Sequence, residues 1–113
     1  MKLWVDDVRP APKGYQLVKS VNEAKELIEF FEDPNRWPSY TQSNRKDNPI
    51  EIELIDCDHD AGDFAKDGGD YIKLLDWLEE TGRNYPIRIH SMNPVGRENM
   101  RAIIRRNGWT EVR

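Results

Sequence analysis

One cysteine in 113 residues, Cys57, excludes an internal disulfide and any zinc site built on several thiolates. It lies inside an apolar run, where a buried and inert thiol is the expectation, and a lone thiol fits a reducing compartment, so the cytoplasm is the expected location. No hydrophobic run approaches the roughly 18 residues a membrane span needs, and no membrane partner is expected. Met1 and Lys2 lead straight into Leu3-Trp4-Val5 and then two aspartates, a start too short and too acidic for a secretory signal. A surplus of basic charge is missing as well. Seventeen Lys and Arg face 21 Asp and Glu, for a net charge of −4, and such a chain should repel polyanions and not bind nucleic acid in bulk. Arg101, Arg105 and Arg106 cluster near the C-terminus, but three arginines on one helix are expected to be a solvated face.

What is present suffices for one domain spanning 1–113, a length that can bury roughly two-thirds of the surface its unfolded chain exposes. Hydrophobic residues make up 37% and charged residues 34%, yet the apolar ones are bunched into short periodic runs, which argues for a core and against disorder. Leu3–Val5, Tyr15–Val18, Ile50–Ile55, Ile87–Ile89 and the stretch around Trp109–Val112 read as strands. Ser20 and Glu23 have the spacing of a capping box, and behind them Val21, Ala24, Leu27, Ile28 and Phe31 line one helix face that ends near Asp33-Pro34. Tyr71, Leu74, Leu75 and Leu78 mark a second helix stopped by Gly82, and Met100, Ile103 and Ile104 a third stopped by Gly108. Residues 33–49, rich in Pro, Asn, Ser and charge, read as an insertion loop.

Strands alternating with helices imply a parallel sheet with right-handed crossovers. Three polar clusters directly follow strands: Asp6-Asp7, Asp56 to Asp60, and His90 to Asn93. The C-terminal ends of parallel strands share one edge, so these clusters should converge there. Asp6, Asp7 and Asp58 could supply the oxygen ligands of a hard divalent cation, Mg²⁺ or Mn²⁺, and three carboxylates that close would need a cation or a raised pKa. His59 and His90 are the only histidines, and both fall at this edge with the chemistry of a general acid or base. Asn93-Pro94 suits a helix start, whose N-terminus can itself attract an anion. Arg9 and Arg97 flank the clusters and could clamp phosphate oxygens. Asp56, Asp58, Asp60 and Asp67 also match part of a calcium loop, but Ala61 stands where that loop needs glycine and a strand precedes it where a helix should.

With these residues in view, the chain resembles a receiver domain, and more closely the divergent cyclic-phosphate processing receiver domain family. The likeness runs through Leu3-Trp4-Val5-Asp6-Asp7-Val8-Arg9-Pro10, Asp58-His59-Asp60, the helix around Tyr71 to Leu78, and Ile89-His90-Ser91-Met92-Asn93-Pro94-Val95-Gly96-Arg97-Glu98-Asn99-Met100. It implies an α/β, receiver-like (flavodoxin-like) three-layer fold with about five parallel strands in the order 2-1-3-4-5 and the first helix reduced to the short Arg9–Gly14 turn. Asp6 and Asp7 then match a metal-binding pair, Asp58 the receiver aspartate, and His90 with Asn93 an H-x-x-N signature. The implied activity is a metal-dependent phosphoesterase acting on cyclic phosphates of nucleotides or RNA ends. His90, Asp58 and His59 would be its catalytic groups, Arg9, Asn93 and Arg97 would bind substrate, and Trp37 or Tyr40 could stack on a base. The alternative is a non-enzymatic receiver or binding module with Asp58 as phosphoacceptor, but no lysine follows the last strand where receivers place one.

Overall fold

The computed structural model of the chain describes residues 1–36 and 51–113. The expected insertion loop falls largely outside them, as do Trp37, Tyr40 and Ile50. Five strands, β1 (Lys2–Val5), β2 (Tyr15–Val18), β3 (Leu54–Cys57), β4 (Ile87–Ile89) and β5 (Glu111–Val112), alternate with helices α1 (Val21–Glu32), α2 (Ile72–Glu80) and α3 (Pro94–Asn107). The strands form one all-parallel sheet in the order β2-β1-β3-β4-β5, as the resemblance implied.

Helix starts and stops follow local chemistry. Ser20 Oγ accepts the Glu23 N–H at 3.0 Å and so caps α1, whereas the Glu23 carboxylate turns to the Lys19 N–H at 3.3 Å, so the capping box forms only in part. Asn93 caps α3 by accepting the Gly96 N–H at 3.0 Å, with Pro94 just inside, where its missing N–H costs nothing. Gly108 ends that helix at φ +67°, a left-handed turn that a side chain would strain. The third strand is shorter than the alternation of Ile50, Ile52 and Leu54 suggests. Ile52 is buried but lies ahead of β3, because only Leu54–Cys57 find pairing partners on β1 and β4.

Register separates the two faces of the sheet. Leu3 and Val5 on β1, Ile55 and Cys57 on β3, and Ile87 and Ile89 on β4 share a core with Val21, Ala24 and Ile28 of α1, Leu74, Leu75 and Leu78 of α2, and Met100, Ile103 and Ile104 of α3. All three helices therefore pack on one face. Right-handed connections that all step the same way across the sheet, β2 to β3, β3 to β4 and β4 to β5, require this. The opposite face carries Lys2, Trp4 and Asp6, Leu54 and Asp56, and Arg88 and His90. Among the described residues the third layer is reduced to the segment from Asp6 to Gly14, as expected of a first helix shortened to a turn. Trp4 Nε1 donates to the Arg9 carbonyl at 3.2 Å and so fastens that segment down. Cys57 is fully buried in the core, and its thiol is pushed well above the usual range by that burial first and by the Asp56 and Asp58 charges next, so it is inert as expected.

Candidate active site

The three clusters that follow strands do meet, because the main chain ties each tip to its neighbour. Asp6 N–H donates to Val18 O at 3.1 Å, Asp58 N–H to Val5 O at 2.9 Å, and His90 N–H to Cys57 O at 2.9 Å. Each residue just past a strand is thus fixed by the adjacent strand before its side chain makes any contact. Asp6, Asp7 and Asp58 can each bring one carboxylate oxygen within 4.8 Å of the others, close enough to share a cation.

The three acids are not equivalent. Asp6 is fully buried, and burial alone would raise its pKa. The Arg9 and Val8 amides, both donating to Oδ1 at 3.0 Å, and the His90 ring together outweigh that effect and hold the carboxyl below its ordinary value. Asp7 moves the other way: burial raises it, and the neighbouring Asp6 and Asp58 carboxylates raise it further against its own backbone N–H. Asp58 is half-buried, with Oδ1 accepting the His59 N–H at 2.8 Å. Gly62, at φ +55°, passes so close to Asp7 Oδ2 that a methyl group there would collide with it. The negative field reaches Tyr71, whose phenol is raised by burial and then by Asp7, Asp6 and Asp58, while its O–H donates to Lys19 O at 2.7 Å.

His90 lies under the acids with both ring nitrogens taken. Nε2 is 2.8 Å from Asp6 Oδ2 and Nδ1 is 2.7 Å from Asp56 Oδ1. Its ring stacks on Trp4 with centroids 3.8 Å apart and planes 3° from parallel, and its side chain is 7% exposed. Asp56, fully buried, also receives Arg88 Nη1 at 3.0 Å on its other oxygen. A connected line, Arg88–Asp56–His90–Asp6, thus runs across the face opposite the core and ends at the acids. Sequence reasoning named His90 and Asp6 as site residues, but it placed Asp56 past the strand and in a partial calcium-loop pattern, not inside β3, and gave Arg88 and Trp4 no role at the site. The available signal was register: an acid inside the apolar run Leu54–Cys57 sits opposite Trp4 on β1 and Arg88 on β4, and all three share a face.

The remaining expected residues divide. His59 is at the edge, with Nδ1 held by Asp60 Oδ1 at 2.8 Å and Nε2 without a partner among the described residues. Its ring lies against Gly96 in the first turn of α3, where an added methyl would meet the ring Cγ, Cδ2 (2.6 Å) and Nδ1 (2.8 Å). Arg9 Nη1 donates to the His90 carbonyl at 3.0 Å and straps the β1 and β4 tips together, leaving its other N–H groups for a ligand. Asn93 serves as the α3 cap. Arg97 makes no ion pair with Asp6, Asp7 or Asp58 and lines a cavity beside β5 with Arg88, Arg101 and Arg113. Asp67 is taken up by Ser20 Oγ at 2.6 Å and Asn22 Nδ2 at 3.0 Å, so the partial calcium-loop pattern does not close on an ion. No helix among the described residues is long and apolar enough to cross a membrane.

A family model described as "Cyclic-phosphate processing Receiver domain" matches residues 1–106. No curated protein and no solved structure matches the chain.

Proposed function

Because this chain belongs to the cyclic-phosphate processing receiver domain family, we propose that its acidic edge is the active site of a metal-dependent phosphoesterase that opens cyclic phosphates of nucleotides or RNA ends. The observation that carries the reading is the approach of Asp6, Asp7 and Asp58 to within 4.8 Å at the tips of two neighbouring strands. An all-oxygen donor set of this kind fits Mg²⁺ or Mn²⁺, and a cation would relieve the repulsion by which the Asp6 and Asp58 carboxylates, after burial, raise the Asp7 carboxyl. Asp6, Asp7 and Asp58 would hold the ion, with Asp6 locked in place by the His90 ring and two backbone amides. The chemistry a bound ion supplies is polarisation of the phosphoryl oxygens and a lowered pKa for a bound water.

Other steps fall to the chain itself. His90, with no free nitrogen, is a positioning residue that fixes the Asp6 rotamer. His59, oriented by Asp60 through Nδ1 and unpartnered at Nε2, is the group that exchanges a proton with the water or the departing ribose oxygen. The free N–H groups of Arg9 and the N-terminus of α3 would orient the phosphate.

A panel of 2′,3′- and 3′,5′-cyclic nucleotides and RNA ending in a cyclic phosphate tests the proposal, with Mg²⁺, Mn²⁺ or chelator and with Asp58→Asn in parallel. Turnover that disappears in chelator and in the variant is expected. No turnover of any substrate with either metal sinks the phosphoesterase. Asp58 also occupies the place of a receiver phosphoacceptor, so the same samples are incubated with a small phosphodonor and weighed intact; a stable adduct on Asp58 favours the relay.

A further inference from the structure

We infer that the arginine-lined cavity beside β5 is a second binding site, for a small phosphate-bearing anion. The inference does not depend on the phosphoesterase reading. The cavity holds about 230 Å³ and is walled by Arg88, Arg97, Arg101, Arg113, Glu111 and Val112. That is below the size of a typical drug-sized ligand pocket and suits one compact head group.

Charge in the cavity is out of balance. Glu111 is its one acidic wall residue, and Arg101 Nε at 3.0 Å and Arg113 Nε at 3.8 Å share the same oxygen, Oε2. Arg88 is paired outside the cavity, with Asp56 at 3.0 Å. Arg97 has no ion pair among the described residues, and its Nε is buried without a hydrogen-bond partner. A guanidinium N–H removed from water and given no acceptor is costly, and buried polar groups of this kind are normally satisfied. An anion in the cavity supplies the missing acceptor. With Arg88 paired to Asp56, Arg101 to Glu111 and also to Glu98 at 4.0 Å, and Arg113 to Glu111, the wall guanidinium left without an ion pair among the described residues is Arg97, and it gives the cavity a local positive excess on a chain whose net charge is −4. Phosphate is favoured over a carboxylate because its oxygens can take the planar fork of one arginine in a bidentate pair and still accept from a second.

Inorganic phosphate is the probe, titrated at low ionic strength into chelator-treated protein so that the acidic edge carries no metal and repels anions. Binding is followed through the arginine Nε–H and β5 amide resonances. Saturable shifts centred on Arg97 are expected, and Arg97→Gln should weaken the affinity by about tenfold or more, the worth of one charge-assisted hydrogen bond. Arg113→Gln, at an exposed position where loss of the side chain leaves the fold intact, should weaken it by about twofold to fivefold. Arg106→Gln, whose arginine pairs with Glu79 away from the cavity, should leave it unchanged. The site is refuted if no saturable shift occurs, if Arg106→Gln costs as much as Arg97→Gln, or if acetate at matched ionic strength gives the same shifts.

Discussion

Replacing His90 by alanine removes the ring that holds two fully buried carboxylates, Asp6 and Asp56, at 2.8 and 2.7 Å. Taking one partner out of a buried charged set costs about 3–5 kcal/mol, because charges are left that water cannot reach. Neither acid is stripped bare, however. Asp56 keeps Arg88 at 3.0 Å, and Asp6 keeps the Val8 and Arg9 amides, so the low end, about 3 kcal/mol, is expected. At about 4 °C per kcal/mol for a domain of this length, the melting midpoint should fall by about 12 °C. Thermal and urea unfolding, followed by circular dichroism, give the number. The same substitution leaves Asp6 Oδ2 without its ring partner and the carboxylate held by its two amides alone, so Mn²⁺ affinity should drop by about tenfold to a hundredfold, as when an orienting partner of a ligand is lost. A cycle with Asp56→Asn isolates the His90–Asp56 coupling, expected at about 0.5–3 kcal/mol. A midpoint that moves by less than about 3 °C with Mn²⁺ affinity intact would mean that the ring does not hold these acids and that the line from Arg88 to Asp6 carries no energy.

Two further outcomes follow from local geometry. Gly96→Ala forces the His59 ring off the first turn of α3, so it should cost about 1–3 kcal/mol by overpacking and lower turnover of any cyclic phosphate far more than it lowers Mn²⁺ affinity; equal losses in both would undo the separate assignment of His59. Asp67 is held below its ordinary carboxylate pKa by Ser20 and then Asn22, so it favours the folded state at neutral pH, and that contribution disappears as pH falls through its folded value. Carboxyl carbon NMR should show it titrating below the exposed Asp and Glu, and Ser20→Ala should bring it back toward them.

Much of the site was legible in the chain itself. Apolar runs of strand length ending abruptly in Asp6-Asp7, in Asp58 and in His90 place those residues past strand tips, and helices between the runs make the strands parallel, so the tips share an edge. The α3 start at Asn93-Pro94 and its stop at Gly108 were equally plain, because caps are written in one or two residues whose chemistry acts locally. Hydrophobic pattern also set the limits of what could be read. It marks Ile52 as apolar but not where pairing begins, which depends on the neighbouring strands.

Sequence alone determined the order of the elements, the family and the convergence of the acids, since all three rest on patterns local to the chain. Tertiary structure decided what each side chain is free to do. It took both nitrogens of His90 for Asp6 and Asp56, left Nε2 of His59 without a partner among the described residues, and set Arg97 in the wall of the cavity beside β5. Those outcomes depend on which residues face one another across strands and helices far apart in the chain, as Asp56 does with Arg88 and His59 with Gly96, and no run of neighbouring residues encodes such a meeting.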